Sequence, residues 1–117
     1  MSDAETLMRN NLLEVFNERD PDRRAAAIAR TYSHDVVFHD PEGEVVGHAA
    51  IDAKAQAVLD GAPGFVFTPS GPVYADADLA CLAWELGPAG QAPVVRGIDI
   101  GSIDGGLLVK VRTIVVT

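Results

Sequence analysis

Residues 78–116 read DLACLAWELGPAGQAPVVRGIDIGSIDGGLLVKVRTIVV, a succession of apolar runs separated by turn residues. Gly87-Pro88-Ala89-Gly90 joins two of the runs, and Asp104-Gly105-Gly106 has the positive-φ chemistry of a tight hairpin. Runs of this length and spacing predict an antiparallel meander, with strands near 78–87, 92–103 and 106–116. Immediately upstream, 65–69 reads as another strand and 72–75 as a short extended piece.

Before Gly64 the apolar residues recur at helical spacing instead. Ser2 followed by Glu5 has capping-box spacing, and Met8, Leu12, Val15 and Phe16 share a face, which predicts a first helix over 3–18. Asp20-Pro21 reads as an N-cap followed by proline in the first turn of a second helix, with Ala25, Ile28, Ala29 and Tyr32 as its stripe. Asp35-Val36-Val37-Phe38-His39 is a strand, stopped by the loop Asp40-Pro41-Glu42-Gly43. Ile51, Ala55, Val58 and Leu59 predict a third helix over 48–60, ended by Gly61 and Pro63. Helices enclosing one strand, then long antiparallel strands, describe a single α+β domain over 1–117 whose helices pack on one face of a curved sheet. Leu79 to Leu86 and Leu107 to Val116 are apolar on both faces, so the second face also needs a cover. No helix remains after residue 60 to supply it, and a homodimer through the sheet is the expectation.

With 117 residues, 48% of them hydrophobic, the chain has enough apolar surface for one core. A net charge of -8 with nine Lys and Arg argues against nucleic acid and anionic membrane surfaces as partners. The sequence holds no apolar run of membrane-spanning length and opens polar and acidic, unlike a signal peptide, so a cytoplasmic location is expected. The single cysteine, Cys81, excludes an internal disulfide and a multi-thiolate zinc site.

Two carboxyl groups stand out. Asp99 lies inside Val94-Val95-Arg96-Gly97-Ile98-Asp99-Ile100, where burial of an unpartnered carboxylate is costly. Strand alternation puts Gly97 and Gly101 on its face, leaving empty space of the kind a ligand cavity requires. The alternative is that the glycines mark a bulge and Asp99 faces water. Asp40 ends the first strand ahead of a proline, so its carboxyl projects at the sheet rim, although Asp-Pro is also ordinary turn chemistry.

The order of these elements, together with Asn17-Glu18-Arg19-Asp20, Tyr32, Val36-Val37-Phe38-His39-Asp40-Pro41-Glu42-Gly43, Gly47 with Ala50-Ile51, and Val94-Val95 ahead of Ile98-Asp99, resembles the nuclear transport factor 2-like superfamily. The likeness is to its SnoaL-like and ketosteroid-isomerase-like members in particular. The resemblance implies a cone-shaped, curved, mixed but mostly antiparallel sheet with three N-terminal helices on its concave face, the cystatin-like arrangement. It also implies a deep pocket for a small apolar molecule, dimerisation through the sheet, and neither cofactor nor metal. In ketosteroid isomerases the aspartate before the loop proline is the general base, here Asp40. The aspartate on the long strand is a neutral oxyanion donor, here Asp99. Leu12, Phe16, Tyr32, Phe38, Leu59, Phe67, Trp84, Val95 and Thr113 are the expected pocket residues.

Some positions depart from the isomerase pattern. Leu12 stands where those isomerases have a second, tyrosine donor, and Tyr32 is the candidate substitute although its stripe position suits a core residue. The segment between Asn17 and Tyr32 is about one helical turn longer, as in the broader SnoaL-like group. A related epoxide hydrolase branch places an arginine between two acids. Here Arg96 alternates to the face opposite Asp99, and Thr113 occupies the second acid's place. His34 and His39 are oddly spaced on or near one strand and point apart, and with His48 they read as surface or turn residues, with His39 also a candidate pocket-rim partner of Asp40. Cys81 reads as packing. The resulting expectation is an isomerase, cyclase or lyase acting beside a carbonyl, with a non-catalytic binding protein or a dimeric interaction domain as the alternatives.

Overall fold

Asp3 and Asp20 start the first two helices in the same way, each carboxylate accepting the backbone N–H three residues on, from Thr6 and Arg23, at 2.8 Å. The expected cap, Ser2, lies outside the described residues, which are 3–116 of this computed structural model. Helix α1 runs Ala4–Arg9 and continues as a π-helical segment over Asn10–Phe16, where the Asn17 N–H reaches back five residues to the Leu12 carbonyl. The helical stretch thus ends two residues before the expected 18. Helix α2 is Pro21–Thr31, with Pro21 in its first turn, and α3 is His48–Asp60.

The strands are β1 Tyr32–Asp40, β2 Gly43–Val46, β3 Phe65–Pro69, β4 Tyr74–Asp76, β5 Leu79–Pro88, β6 Val95–Asp104 and β7 Leu107–Val115. β2 goes beyond the sequence reading, which ended the first strand in a loop. It folds back on β1 through Pro41-Glu42, with Phe38 opposite Val45 and Asp40 opposite Gly43. The sheet order is β2-β1-β7-β6-β5-β3, with β4 also on β5. β3 takes the C-terminal half of β5 and β4 the N-terminal half. The β1–β7 pairing is parallel and the remaining pairings are antiparallel, so the sheet is mixed and mostly antiparallel. The fold is α+β, three helices on a curved open sheet.

Helix and sheet meet on the concave face, where Leu7, Met8, Leu12, Val15 and Phe16 pack against Val36, Phe38, Leu82, Trp84, Leu108 and Val111. Polar side chains fix the helices to this face. The Asn17 amide acts as an extra ladder partner for β3, accepting the Phe67 N–H at 2.7 Å and donating to the Phe67 carbonyl at 2.9 Å. Arg19 donates to the carbonyls of Leu59, Ala62 and Phe65, satisfying the end of α3 and the turn after it. Arg24, 2% exposed, ties α2 to α3 through Asp52 and Gln56. Among the described residues no helix is long and apolar enough to cross a membrane.

Candidate functional site

Strand register decides what surrounds Asp99. Thr113 on β7 is its direct neighbour, and Trp84 on β5 sits opposite Gly97, two residues away on the same face. The Thr113 hydroxyl donates to Asp99 Oδ1 at 2.7 Å and Trp84 Nε1–H to the same oxygen at 2.9 Å. Oδ2 accepts from Asn11 Nδ2 at 2.8 Å. Asn11 in turn accepts the Tyr32 hydroxyl at 2.6 Å, which fixes the orientation of its amide. The chain of donors is therefore Tyr32 to Asn11 to Asp99, joined by Thr113 and Trp84.

Asp99 is 5% exposed. Burial pushes its pKa above the ordinary carboxylate value of 3.8, and the bonds from Thr113, Trp84 and Asn11 oppose that rise without cancelling it. Burial also holds the Tyr32 phenol well above 10.0, with the Asp99 charge adding to the effect. Burial thus makes this carboxyl easier to protonate than an exposed one. Once neutral, Oδ1 as the carbonyl oxygen can keep both of its donors. Oδ2 can keep the Asn11 bond and still donate its own proton.

The empty space expected beside the glycines is filled. A Cβ on Gly97 would stand 2.3 Å from Trp84 Cζ2, and one on Gly101 would stand 2.7 Å from both Met8 Sδ and Leu108 Cδ2. The glycines admit the indole and the core side chains to the sheet surface. The cavity lies to the other side of the indole.

Asp40 projects from the end of β1 into that cavity. Its Oδ1 accepts the Glu42 N–H at 2.9 Å, closing the turn into β2, and its Oδ2 lies 3.1 Å from Lys54 Nζ of α3. Lys54 also meets Glu42 Oε1 at 2.6 Å. Its pKa is raised, led by the Glu42 hydrogen bond and helped by Asp40, against the opposing effect of desolvation. The side chains of Asp40 and Lys54 are each 13% exposed.

The cavity measures about 120 Å³ and is lined by Leu12, Phe16, Phe38, Phe67 and Trp84 on its apolar walls, with Asp40, Asp99 and Thr113 as polar groups. Pro41, Val58 and Val115 complete it. Three residues expected in the lining are elsewhere. Tyr32 is fully buried behind Asn11. Leu59 is buried, and α3 turns the preceding Val58 to the cavity instead. Val95 shares Asp99's face but lies beyond Gly97, across which Trp84 is laid. The sequence reading missed Asn11, Lys54, Pro41, Val58 and Val115. For Asn11 a signal existed, since a polar side chain three residues after Met8 and four before Val15 breaks the apolar stripe of the first helix.

His48 Nε2 lies 2.9–3.0 Å from the Ser33 and Tyr32 carbonyls, anchoring the start of α3 to β1, and His34 packs edge-on against its ring. Among the described residues no three His, Cys, Asp or Glu side chains form a metal-ligating group. Arg96, exposed on the outer face, pairs with Glu85 at 3.3 Å.

The arrangement sets an ion-paired carboxylate and a buried carboxyl of raised pKa on the wall of one apolar cavity. The family model of the SnoaL-like domain matches residues 10–111. Among solved structures, a candidate isomerase of the SnoaL-like family from Agrobacterium tumefaciens superposes with a TM-score of 0.88 at 22% identity, covering 96% of each chain. A candidate polyketide cyclase from Sinorhizobium meliloti gives 0.72 at 18% identity over 92% of each chain. A nuclear transport factor 2-like protein of unknown function from Cytophaga hutchinsonii gives 0.72 at 10% identity, covering 98% of this chain and 91% of its own. No curated protein matches the sequence. At these identities the superpositions show a shared fold, and the extent of the family match shows that the chain belongs to the SnoaL-like family.

Proposed function

We propose that the protein catalyses proton transfer next to a carbonyl of a small apolar substrate, as an isomerase, cyclase or lyase. The observation that carries this reading is that two carboxyl groups face one apolar cavity from opposite circumstances: Asp40 beside an ammonium group, Asp99 buried with its pKa raised by desolvation. Asp40 as carboxylate takes the proton from the carbon next to the carbonyl, and the electron pair left behind moves onto the carbonyl oxygen. Asp99 donates a hydrogen bond to that oxygen as its charge grows, and the proton on Asp40 then returns to carbon. Neighbours named as isomerase and cyclase support the same class. Tyr32 acts at one remove, since its hydroxyl is spent on Asn11.

A non-catalytic binding protein is the second reading. It is favoured by the prior engagement of both acids, Asp40 with Lys54 and Asp99 with three donors. The same proposal includes a homodimer through the outer sheet face, where Ala83, Ile98 and Ile114 form a row across β5, β6 and β7, and a cytoplasmic location.

Deuterium uptake from D₂O at the carbon next to the carbonyl of cyclohexanone, followed by NMR, separates the two readings. The enzyme reading expects uptake that falls by about 10²- to 10⁴-fold in Asp40→Asn. Uptake no faster with wild type than with Asp40→Asn rejects it in favour of binding alone.

A further inference from the structure

Trp84 of β5 forms the cavity wall beside Asp99 of β6. The Trp84 indole lies so tightly over Gly97 that no other residue at 97 leaves it room, since an added Cβ would fall 2.3–2.7 Å from three of its ring carbons. Its other surroundings are equally fixed: Nε1–H is bonded to Asp99 Oδ1 at 2.9 Å, and Phe67 stands edge-on at 5.2 Å between centroids. A ring held on three sides does not swing away to admit a larger guest, and what remains in front of it is about 120 Å³. For scale, a dry cavity of about 150 Å³ holds one benzene. Pockets for drug-sized ligands measure about 300–1,000 Å³.

Resting on the proposed carbonyl chemistry of this same site, we infer that the cavity takes carbonyl compounds of one ring or equal bulk, and that Trp84, seated on Gly97, is the residue that sets this limit. A second fused ring needs more than the roughly 120 Å³ present, and the indole already fills the space over Gly97. The carbonyl of a one-ring ketone can meet Asp99 while its neighbouring carbon meets Asp40. A polycyclic ketone must give up one of these contacts. Trp84 therefore does two things at once, bonding the acid and ending the pocket.

The test compares cyclohex-2-enone with the two-ring ketone α-tetralone by titration calorimetry on wild type, Trp84→Leu and Trp84→Phe. Trp84 is the only tryptophan in the chain, so quenching of its emission reports in wild type that the ketone sits against it. The expected result is at least tenfold tighter binding of the one-ring ketone by wild type, lost or reversed in Trp84→Leu and weakened in Trp84→Phe. If Trp84→Leu does not fold, the milder Trp84→Phe decides by the same change of ratio. Equal binding of both ketones by wild type, binding of neither, or a ratio unmoved by both substitutions overturns the inference. Size selectivity without deuterium uptake would sink the catalytic reading and leave the size limit standing. Uptake without selectivity would do the reverse.

Discussion

Asn11 in the π-helical turn donates from Nδ2 to Oδ2 of Asp99 at 2.8 Å, across 88 positions of sequence, and accepts the hydroxyl of Tyr32 with its other amide atom. Among the described residues it is the only side chain that hydrogen-bonds both the phenol and the carboxyl, and it is fully buried.

Replacing it exposes two needs at once. In Asn11→Leu the buried Tyr32 hydroxyl loses its acceptor and Asp99 one of three donors. Each buried group left unpaired costs about 1–3 kcal/mol. A loss of roughly 2–4 kcal/mol is expected in urea unfolding, with Asn11→Gln recovering part of it. A loss under 0.5 kcal/mol would show that the relay is not formed in solution.

Asp99 gives stability a pH dependence of defined sign. Its folded pKa lies above the unfolded 3.8, so the folded state holds the proton more tightly. The contribution is complete below 3.8 and is lost as the pH rises through the raised value, at about 1.4 kcal/mol per unit of displacement. Unfolding free energies measured from pH 4 to pH 8 should fall more steeply in wild type than in Asp99→Asn. Parallel profiles would mean that the carboxyl titrates as a free one.

The two glycines beside Asp99 should not respond alike. In Gly97→Ala the new methyl meets an indole held by Phe67 and Asp99. A loss of about 2–3 kcal/mol and a red shift of the tryptophan emission are expected as the ring is displaced. In Gly101→Ala the obstacles are the far ends of Met8 and Leu108, which can turn aside, so the loss should be smaller and the emission unchanged. Equal losses with no spectral change would mean that the indole is not wedged against the strand.

Ile114 is 45% exposed at the centre of the outer sheet face, opposite Ile98. Ile114→Glu places a charge there without disturbing the concave core. The proposed dimer predicts that sedimentation gives a dimer for wild type and a monomer for the variant. A wild-type monomer at micromolar concentration rejects the dimer.

Local chemistry was legible where one residue acts on its own neighbourhood. Asp20-Pro21 starts a helix, Gly61 and Pro63 follow the end of another, and Phe65–Pro69 is a strand with the expected bounds. Asp99 was visible as a carboxyl inside an apolar run, whereas Asp40 stood out at a strand end before a proline and through the family resemblance. Relations between distant segments were less legible. Trp84 over Gly97 depends on the β5–β6 register, and Lys54 reaches Asp40 because α3 packs against β1 and β2. The four-residue β2 begins with glycine and carries too little periodicity to separate it from its turn.

The parallel pairing of β1 with β7 joins the first strand to the last, and β7 also brings Thr113 and Val115 to the cavity. While the ribosome is still making the chain, β1 therefore waits with one lateral edge uncovered, and nearly all of the domain must emerge before its proper neighbour arrives. Until then that edge is open to pairing with another nascent copy. A product stalled before residue 107 would keep the uncovered edge for good and lack part of the cavity wall. It would be a template for aggregation before it was anything else.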